Sequence, residues 1–209
     1  PLSFEYFLDN EKIITNCGFG NNISKKAILL SRLTSAQSTL CLNDTSVVNL
    51  ERNKILNSVF DNTIKGNFEV FDVKYEESEK NLKSSASHNA YEKNIGYIHK
   101  RTIELQKDNN SLYGSDELIN KYSREDVRYD IRFHLYPGIS AVQTMGGNSV
   151  LIQIKKNKSL MFTSKGQKLF IEKSIFLGRN KILNNLCITI SGNIINETKI
   201  INWQIEKKS

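Results

Sequence analysis

Three histidines hold most of the chemistry that could titrate near neutral pH in this chain: His88, His99 and His134. An imidazole can act there as acid, base or ligand because its ordinary pKa lies close by. His88 sits in Ser87-His88-Asn89-Ala90-Tyr91, beside a stretch of Lys, Ser and Glu that reads as a loop. His99 falls within Tyr97-Ile98-His99-Lys100-Arg101, inside a strand pattern, and reads as a residue of a polar sheet face. His134 alternates with Arg132 along the polar side of Val127 to Leu135. If that sheet curves, the two line a groove suited to an anion, arginine through its planar fork of donors. For each histidine the plainer role, a hydrogen-bonded sheet residue, is the commoner one for such a position.

Other chemistries are poorly served. A metal site needs three or four converging ligands; Asp44, His88 and His99 could meet across a sheet, but spacing alone does not bring them together. The cysteines, Cys17, Cys41 and Cys187, are odd in number and far apart, which suits neither a metal knuckle nor a disulfide framework. Cys41 and Cys187 lie among apolar residues and read as small buried side chains. Glycines 18, 20, 146 and 147 form no phosphate-binding loop, and no serine elbow is present. The net charge of +7 is spread over Lys25-Lys26, Lys80 and Lys83, Lys155-Lys156-Lys158 and Lys207-Lys208. Dispersed lysines of this kind mainly solubilise turns and termini. Where they do face a polyanion, an acidic polysaccharide serves as well as DNA, since steering depends on charge and cleft shape. Nucleic acid is not expected as a partner, because no aromatic-basic recognition motif accompanies the charge. No apolar run approaches the roughly 20 residues of a membrane-spanning helix, so no span is expected.

The elements that must position these residues are mostly strands. Phe4 to Phe7 and Lys12 to Thr15 flank a polar break and read as a hairpin. Asn16 to Ser24 reads as a loop, and Ala27 to Leu33 as one or two helical turns. Ser38 to Leu42 is a compact strand followed by a turn at Asn43 to Ser46. Residues 47–65 read as a long connection with at most a short strand at Val47 to Leu50. Three meander-like strands follow, near Phe68 to Tyr75, Tyr97 to Leu105 and Ser111 to Leu118. Val127 to Leu135 is the clearest strand: Val127, Tyr129, Ile131, Phe133 and Leu135 alternate with polar residues and should form one core face. Strand patterns then recur at Ser140 to Thr144, Ser149 to Ile154, Ser159 to Thr163, Lys168 to Leu177, Asn185 to Ser191 and Lys199 to Ile205. Many short strands between Gly, Asn and Lys turns predict an all-β, antiparallel β-sandwich of one domain with few or no helices, since each sheet must bury its apolar face against another layer.

With these residues in place, the chain resembles the C-terminal β domain of the heparinase II/III-like family over nearly its whole length. The resemblance rests on ordered landmarks: Asn16-Cys17-Gly18, the run RLTSAQSTLCLND from Arg32 to Asp44, SHNAYEKNIGYIHKR from Ser87 to Arg101, IRFHLYPG from Ile131 to Gly138, and a closing strand with Trp203. Each piece alone is weak; their order and spacing are more specific.

The resemblance implies a super-sandwich-like β domain whose parent carries an upstream α/α toroid, with the active site in the cleft between them. The chain's start, Pro1-Leu2-Ser3, without an initiator Met or a signal pattern, reads as the downstream piece of something longer. The implied activity is β-elimination on an acidic, uronate-containing polysaccharide, resting on general acid–base catalysis and stabilisation of an enolate-like intermediate. It also implies a bacterial cell-envelope or periplasmic setting. His88 matches the histidine of the family's Ser-His-Asp/Asn-Gly-Tyr-like segment, with Ala90 where Gly is common. His88 and Tyr91 are thereby the expected catalytic residues, and Gln37, His99, Arg101, Arg132 and His134 the expected substrate-binding ones. Asp44 and His88 are weak candidates for a structural zinc. Gln37 departs from the family, which usually has histidine just before the Ser-Thr-Leu run. Glutamine donates and accepts hydrogen bonds but does not titrate. Two readings stay open: a lyase domain, and a non-catalytic module that binds acidic glycan or builds the cell envelope.

Overall fold

The computed structural model describes residues 1–20, 22–50, 64–178 and 180–208. Two antiparallel sheets pack face to face, with a small two-stranded pair, β4 (Asn49–Leu50) and β5 (Ile64–Lys65), beside them. The expectation of an all-β antiparallel sandwich holds. Residues 51–63 of the expected long connection lie outside the described residues.

The smaller sheet begins with β1 (Tyr6–Leu8) and β2 (Glu11–Thr15), joined through Asp9 and Asn10, both at positive φ. Two left-handed residues in a two-residue loop give the turn whose twist matches a hairpin, and Asp and Asn tolerate that conformation. The sheet continues through β10 (Asp126–Leu135), β15 (Ile182–Ile195) and β14 (Leu169–Leu177), with β3 (Leu40–Leu42) also pairing β10. Helix α1 (Lys25–Ser31) precedes β3; the Ser24 side chain caps it by accepting from the Ala27 amide.

The larger sheet runs in the order β11 (Ser140–Gln143), β12 (Ser149–Lys155), β13 (Lys158–Thr163), β16 (Lys199–Lys207), β9 (Ser111–Asn120), β8 (Tyr97–Gln106), β7 (Asn81–His88) and β6 (Val70–Glu77). A single turn of helix, α2 (Glu92–Ile95), links β7 to β8. The core between the layers holds Ile131, Phe133, Ile188 and Ile190 from the small sheet against Val150, Phe162, Ile201 and Trp203 from the large one. Trp203 stacks on Phe4 at 5.5 Å and meets Phe133 edge-on at 4.8 Å. Its indole lies across Gly114, its register partner on β9, where an added Cβ would come within 2.0 Å of the ring. Only glycine fits under it.

Three expectations are corrected. The meander β6–β9 has four strands, not three: Asn81–His88 is a strand, although its sequence NLKSSASH carries no β-branched residue. Pairing on both edges, with β6 and β8, overrides its weak propensity. His88 accordingly ends a strand and is buried, where a surface histidine beside a loop was expected. His99 faces the space between the sheets and not a polar outer face, because it shares its side of β8 with Arg101 and pairs with Leu118, a core residue.

Candidate functional site

His88, His99 and Arg101 come together in the interior of the large sheet, with Asp116 at the centre. His88 and His99 stand opposite each other in the β7–β8 register, and period-two alternation puts Arg101 on the same face. The ring atoms His88 Nε2 and His99 Nδ1 are 3.1 Å apart, and His99 Nε2 is 2.6 Å from Asp116 Oδ1. The Ala90 amide donates to His88 Nδ1 at 3.2 Å. That last bond fixes the protons along the row, since an amide can only donate. His88 Nδ1 must accept, so His88 Nε2 carries hydrogen and donates to His99 Nδ1; His99 Nε2 then carries hydrogen and donates to the carboxylate. Both imidazoles are neutral and each ring nitrogen is used.

Asp116 also accepts from Arg101 Nε at 2.8 Å, Arg101 Nη2 at 3.0 Å and Trp203 Nε1 at 2.9 Å. The Arg101 guanidinium and these donors hold its carboxyl well below the usual carboxylate range despite full burial. Burial pushes His99 below its ordinary value, against the pull of Asp116, and lowers His88 to about 2, aided by the charge environment around His99. Neither ring is a proton acceptor at neutral pH.

Arg101 reaches across to the other layer. Its Nη1 donates to the Leu2 carbonyl at 2.9 Å and to the Ser38 carbonyl at 2.8 Å. Ser38 is a hub: its amide donates to Asn16 Oδ1, its hydroxyl donates to the Thr15 carbonyl at 2.6 Å, and the same hydroxyl oxygen accepts from the His134 amide at 2.9 Å. The segment around Gln37 is thereby held between β2, β8 and β10. Gln37 turns its Nε2 back onto the Ser31 carbonyl at the end of α1, at 2.6 Å. Its amide thus secures the loop, a role a glutamine fills without titrating.

Tyr91 is buried with its hydroxyl donating to the Leu40 carbonyl at 3.1 Å, and its ring is 5.6 Å from that of His88. Burial raises its phenol well above the usual value. Arg132 and His134 occupy the outer face of the small sheet, apart from the interior network. Arg132 Nη2 lies 3.5 Å from both Asp44 and the buried Asp130, and its Nη1 is buried without a partner among the described residues. His134 Nε2 is 3.1 Å from the Ser35 carbonyl and Nδ1 is 3.1 Å from Ser174 Oγ. Burial lowers its pKa to about 4, more than the Ser35 carbonyl restores. The face expected to be merely polar is covered: Asp130 and His134 are both buried.

No group of three or more His, Cys, Asp or Glu side chains converges for a metal among the described residues. His88 has spent both nitrogens, and Asp44 is an exposed partner of Arg132, so the residues present do not fit a zinc at these positions. The three cysteines are free and buried.

Asp116 was not singled out from the sequence, although a signal existed. The alternation Leu112, Gly114, Asp116, Leu118 puts a carboxylate on an apolar face, where an ion survives only with partners. Trp203 was noted as a landmark but not as a donor to that carboxylate.

The architecture defines a class: a two-layer antiparallel sandwich whose sheets are tied by a buried His–His–Asp–Arg network. A family model described as "Heparinase II/III-like, C-terminal" matches residues 1–204, and the chain belongs to that family. Among solved structures, the heparan sulfate lyase HepC from Pedobacter heparinus is similar with a TM-score of 0.76 at 15% identity, covering 99% of this chain and 30% of that one. A heparinase III structure gives 0.71 at 15% identity, covering 98% and 29%. The heparinase III BT4657 gene product gives 0.72 at 11% identity, covering 99% and 30%. These likenesses are of fold, and the chain spans less than a third of the length of those proteins. No curated protein matches it. No helix among the described residues is long and apolar enough to cross a membrane.

Proposed function

We propose that this chain is the β domain of a polysaccharide lyase that cleaves an acidic, uronate-containing glycan by β-elimination in the periplasm, together with an upstream α/α toroid. The observation that carries the reading is the family match over residues 1–204, with the fold likeness to lyases over nearly the whole chain. In this reaction a base removes the proton α to the uronate carboxylate. The electron pair forms the new C=C bond as the 4-linked sugar departs with a proton from an acid.

In this reading the β domain supplies binding and position. Arg132, whose Nη2 has only long contacts to Asp44 and Asp130, is the cation this face offers to a carboxylate, and His134 stands beside it on the same strand face. Arg101 acts from behind, holding the Ser38 hub and hence the Gln37 loop, while His99 and His88 brace the Asp116 that anchors it and Tyr91 ties the Leu40 carbonyl. The proton acceptor comes from the helical domain, since both buried histidines have used their lone pairs within the network. The test is a lyase assay on the protein with its helical domain, reading unsaturated-uronate absorbance across several uronate polymers. Cleavage of none, with binding intact, overturns the reading.

A second reading, a glycan-binding or envelope module without chemistry, is favoured by one observation: Gln37 is committed to the Ser31 carbonyl. Gln37→His in the same protein separates the two. Turnover gained by an inactive protein supports lost chemistry; an active protein with an unchanged rate supports the lyase.

A further inference from the structure

The two layers differ in width: the large sheet has eight strands and the small one six, with β1 at an edge of the small sheet. A slot of about 480 Å³ opens beside that edge. Its wall is the consecutive run Leu2 to Phe7, and its floor is the inward face of β7 and β8: Leu82, Ser84 and Ala86 with their register partners Leu105, Ile103 and Arg101. On β8 this same face carries His99 and Arg101 into the sealed network, yet Ile103 and Leu105 beyond them are only partly buried and Ser84 is exposed. Farther out, Tyr75 stands opposite Ser84 on β6, on the same face, and is 62% exposed. The inner face of the large sheet thus runs on past the small sheet with nothing laid over it among the described residues.

The wall is as unfinished as the floor. β1 pairs β2 on one side and no strand on the other among the described residues. Such an edge presents a row of N–H and C=O groups ready for another strand, and exposed edges are usually guarded by charge. Here the guard is missing: the one ion of the run, Glu5, turns to Lys12 and Thr15 of β2 at 2.8 and 3.1 Å. Strands pair about 4.8 Å apart and sheets pack about 10 Å apart. A slot with a strand edge as wall and a sheet face as floor therefore has the shape of one further strand.

We propose that the slot is filled by an extended segment of the polypeptide upstream of Pro1, paired edge-on with β1 and laying alternate apolar side chains on Leu82, Ile103 and Leu105. The proposal rests on the reading of this chain as the downstream part of a longer protein, and the matched structures have the length to supply the segment, since the chain covers 30% and 29% of two of them. A tethered strand also avoids the entropy lost when separate molecules associate. A second copy fits less well: antiparallel pairing of two β1 edges about a two-fold would set both overhanging β6–β7 pairs in the same space.

The test is thiol labelling of the full-length parent with a maleimide, comparing Ser84→Cys on the slot floor with Glu76→Cys, an exposed position on the opposite face of the neighbouring strand. After subtraction of the unsubstituted parent, the thiol at position 84 should react at least about tenfold more slowly, because it is reached only through local opening. The protection should be unchanged on dilution. Equal rates overturn the proposal, and protection lost on dilution overturns it in favour of a second copy. Should Ser84→Cys fail to fold, photo-leucine incorporated into the unsubstituted parent decides. Irradiation should join Leu82 or Leu105 to a peptide upstream of Pro1 within one molecule; links to another molecule, or only to residues 1–209, overturn the strand. Neither readout needs turnover, so its failure is distinct from failure of the elimination assay.

Discussion

The interior of the large sheet and the outer face of the small sheet both carry an arginine, a histidine and an aspartate, yet they are built in opposite ways. Inside, Arg101, His99 and Asp116 make short, directed bonds, with four donors on the carboxylate. Outside, Arg132 meets Asp44 and Asp130 at 3.5 Å and keeps an unpaired N–H, while His134 bonds to a serine and a carbonyl. A saturated network gives rigidity, since every group already has its partner. An incomplete one leaves a donor without a partner, which is where a change should be tolerated best. The same residue types are therefore saturated with short bonds in one layer and held by longer, fewer contacts in the other.

The sharpest way to break this contrast is Asp116→Asn. It leaves the Arg101 charge buried without its counter-ion, and the expected loss is about 3–5 kcal/mol by urea unfolding. Removing Arg101 as well should not restore stability, because Asn keeps a single acceptor oxygen for the Trp203 and His99 donors, and the Leu2 and Ser38 carbonyls lose theirs. Recovery in the double variant would mean that the pair is not the centre of the network.

Acid should act next. As pH falls below about 6.5 the unfolded chain takes up protons on its histidines. The folded chain resists, with His88 held down to about 2 and His134 to about 4. The unfolded state therefore binds more protons in this range, so stability is full above about pH 6.5 and declines below it. The expected slope is on the order of 1.4 kcal/mol per pH unit for each such histidine, with the His134 share levelling near pH 4. His134→Asn should flatten the profile partially. A profile flat from about pH 7 to about pH 5 would count against neutral buried rings.

Ser38→Ala should cost about 2 kcal/mol, since the Thr15 carbonyl and the His134 amide each lose a buried partner. The smallest change is expected at Arg132→Gln, about 1 kcal/mol in stability, because its ion pairs are long, Asp44 is exposed and the buried Asp130 keeps Arg128 and Ser191 as partners. Glycan binding, by contrast, should weaken measurably. Equal stability losses at Asp116 and Arg132 would erase the distinction between the two layers.

The strands whose side chains sort cleanly by period were legible in the sequence. Val127 to Leu135 alternates, and β10 occupies Asp126–Leu135 with Tyr129, Ile131 and Phe133 in the core. The β1–β2 hairpin could be read from its polar break. The segment Asn81–His88 could not, because its serines and lysines state no preference and only two flanking strands make it one. For the same reason the Lys-Ser-Glu stretch beside His88 reads as a loop. The candidate site divides likewise: the residue types are identifiable, but which histidines join the interior network and which lies on the outer face of the small sheet depends on register. His99 faces Asp116 only because β8 pairs β9 as it does, and no local pattern encodes that choice.

Ser38 has one more consequence, which concerns the order of events in folding. Its partners lie far along the chain: the hydroxyl oxygen waits for His134, 96 residues away, and the carbonyl for Arg101, 63 residues away. Both bonds need β8 and β10 in place, so they should belong to the late part of assembly, after the long loops have closed. A lesion at Ser38 should then leave the refolding rate nearly unchanged and appear almost wholly as faster unfolding. The knot that joins the two layers would act as a latch on a finished sandwich, setting how long the fold lasts more than how quickly it is reached.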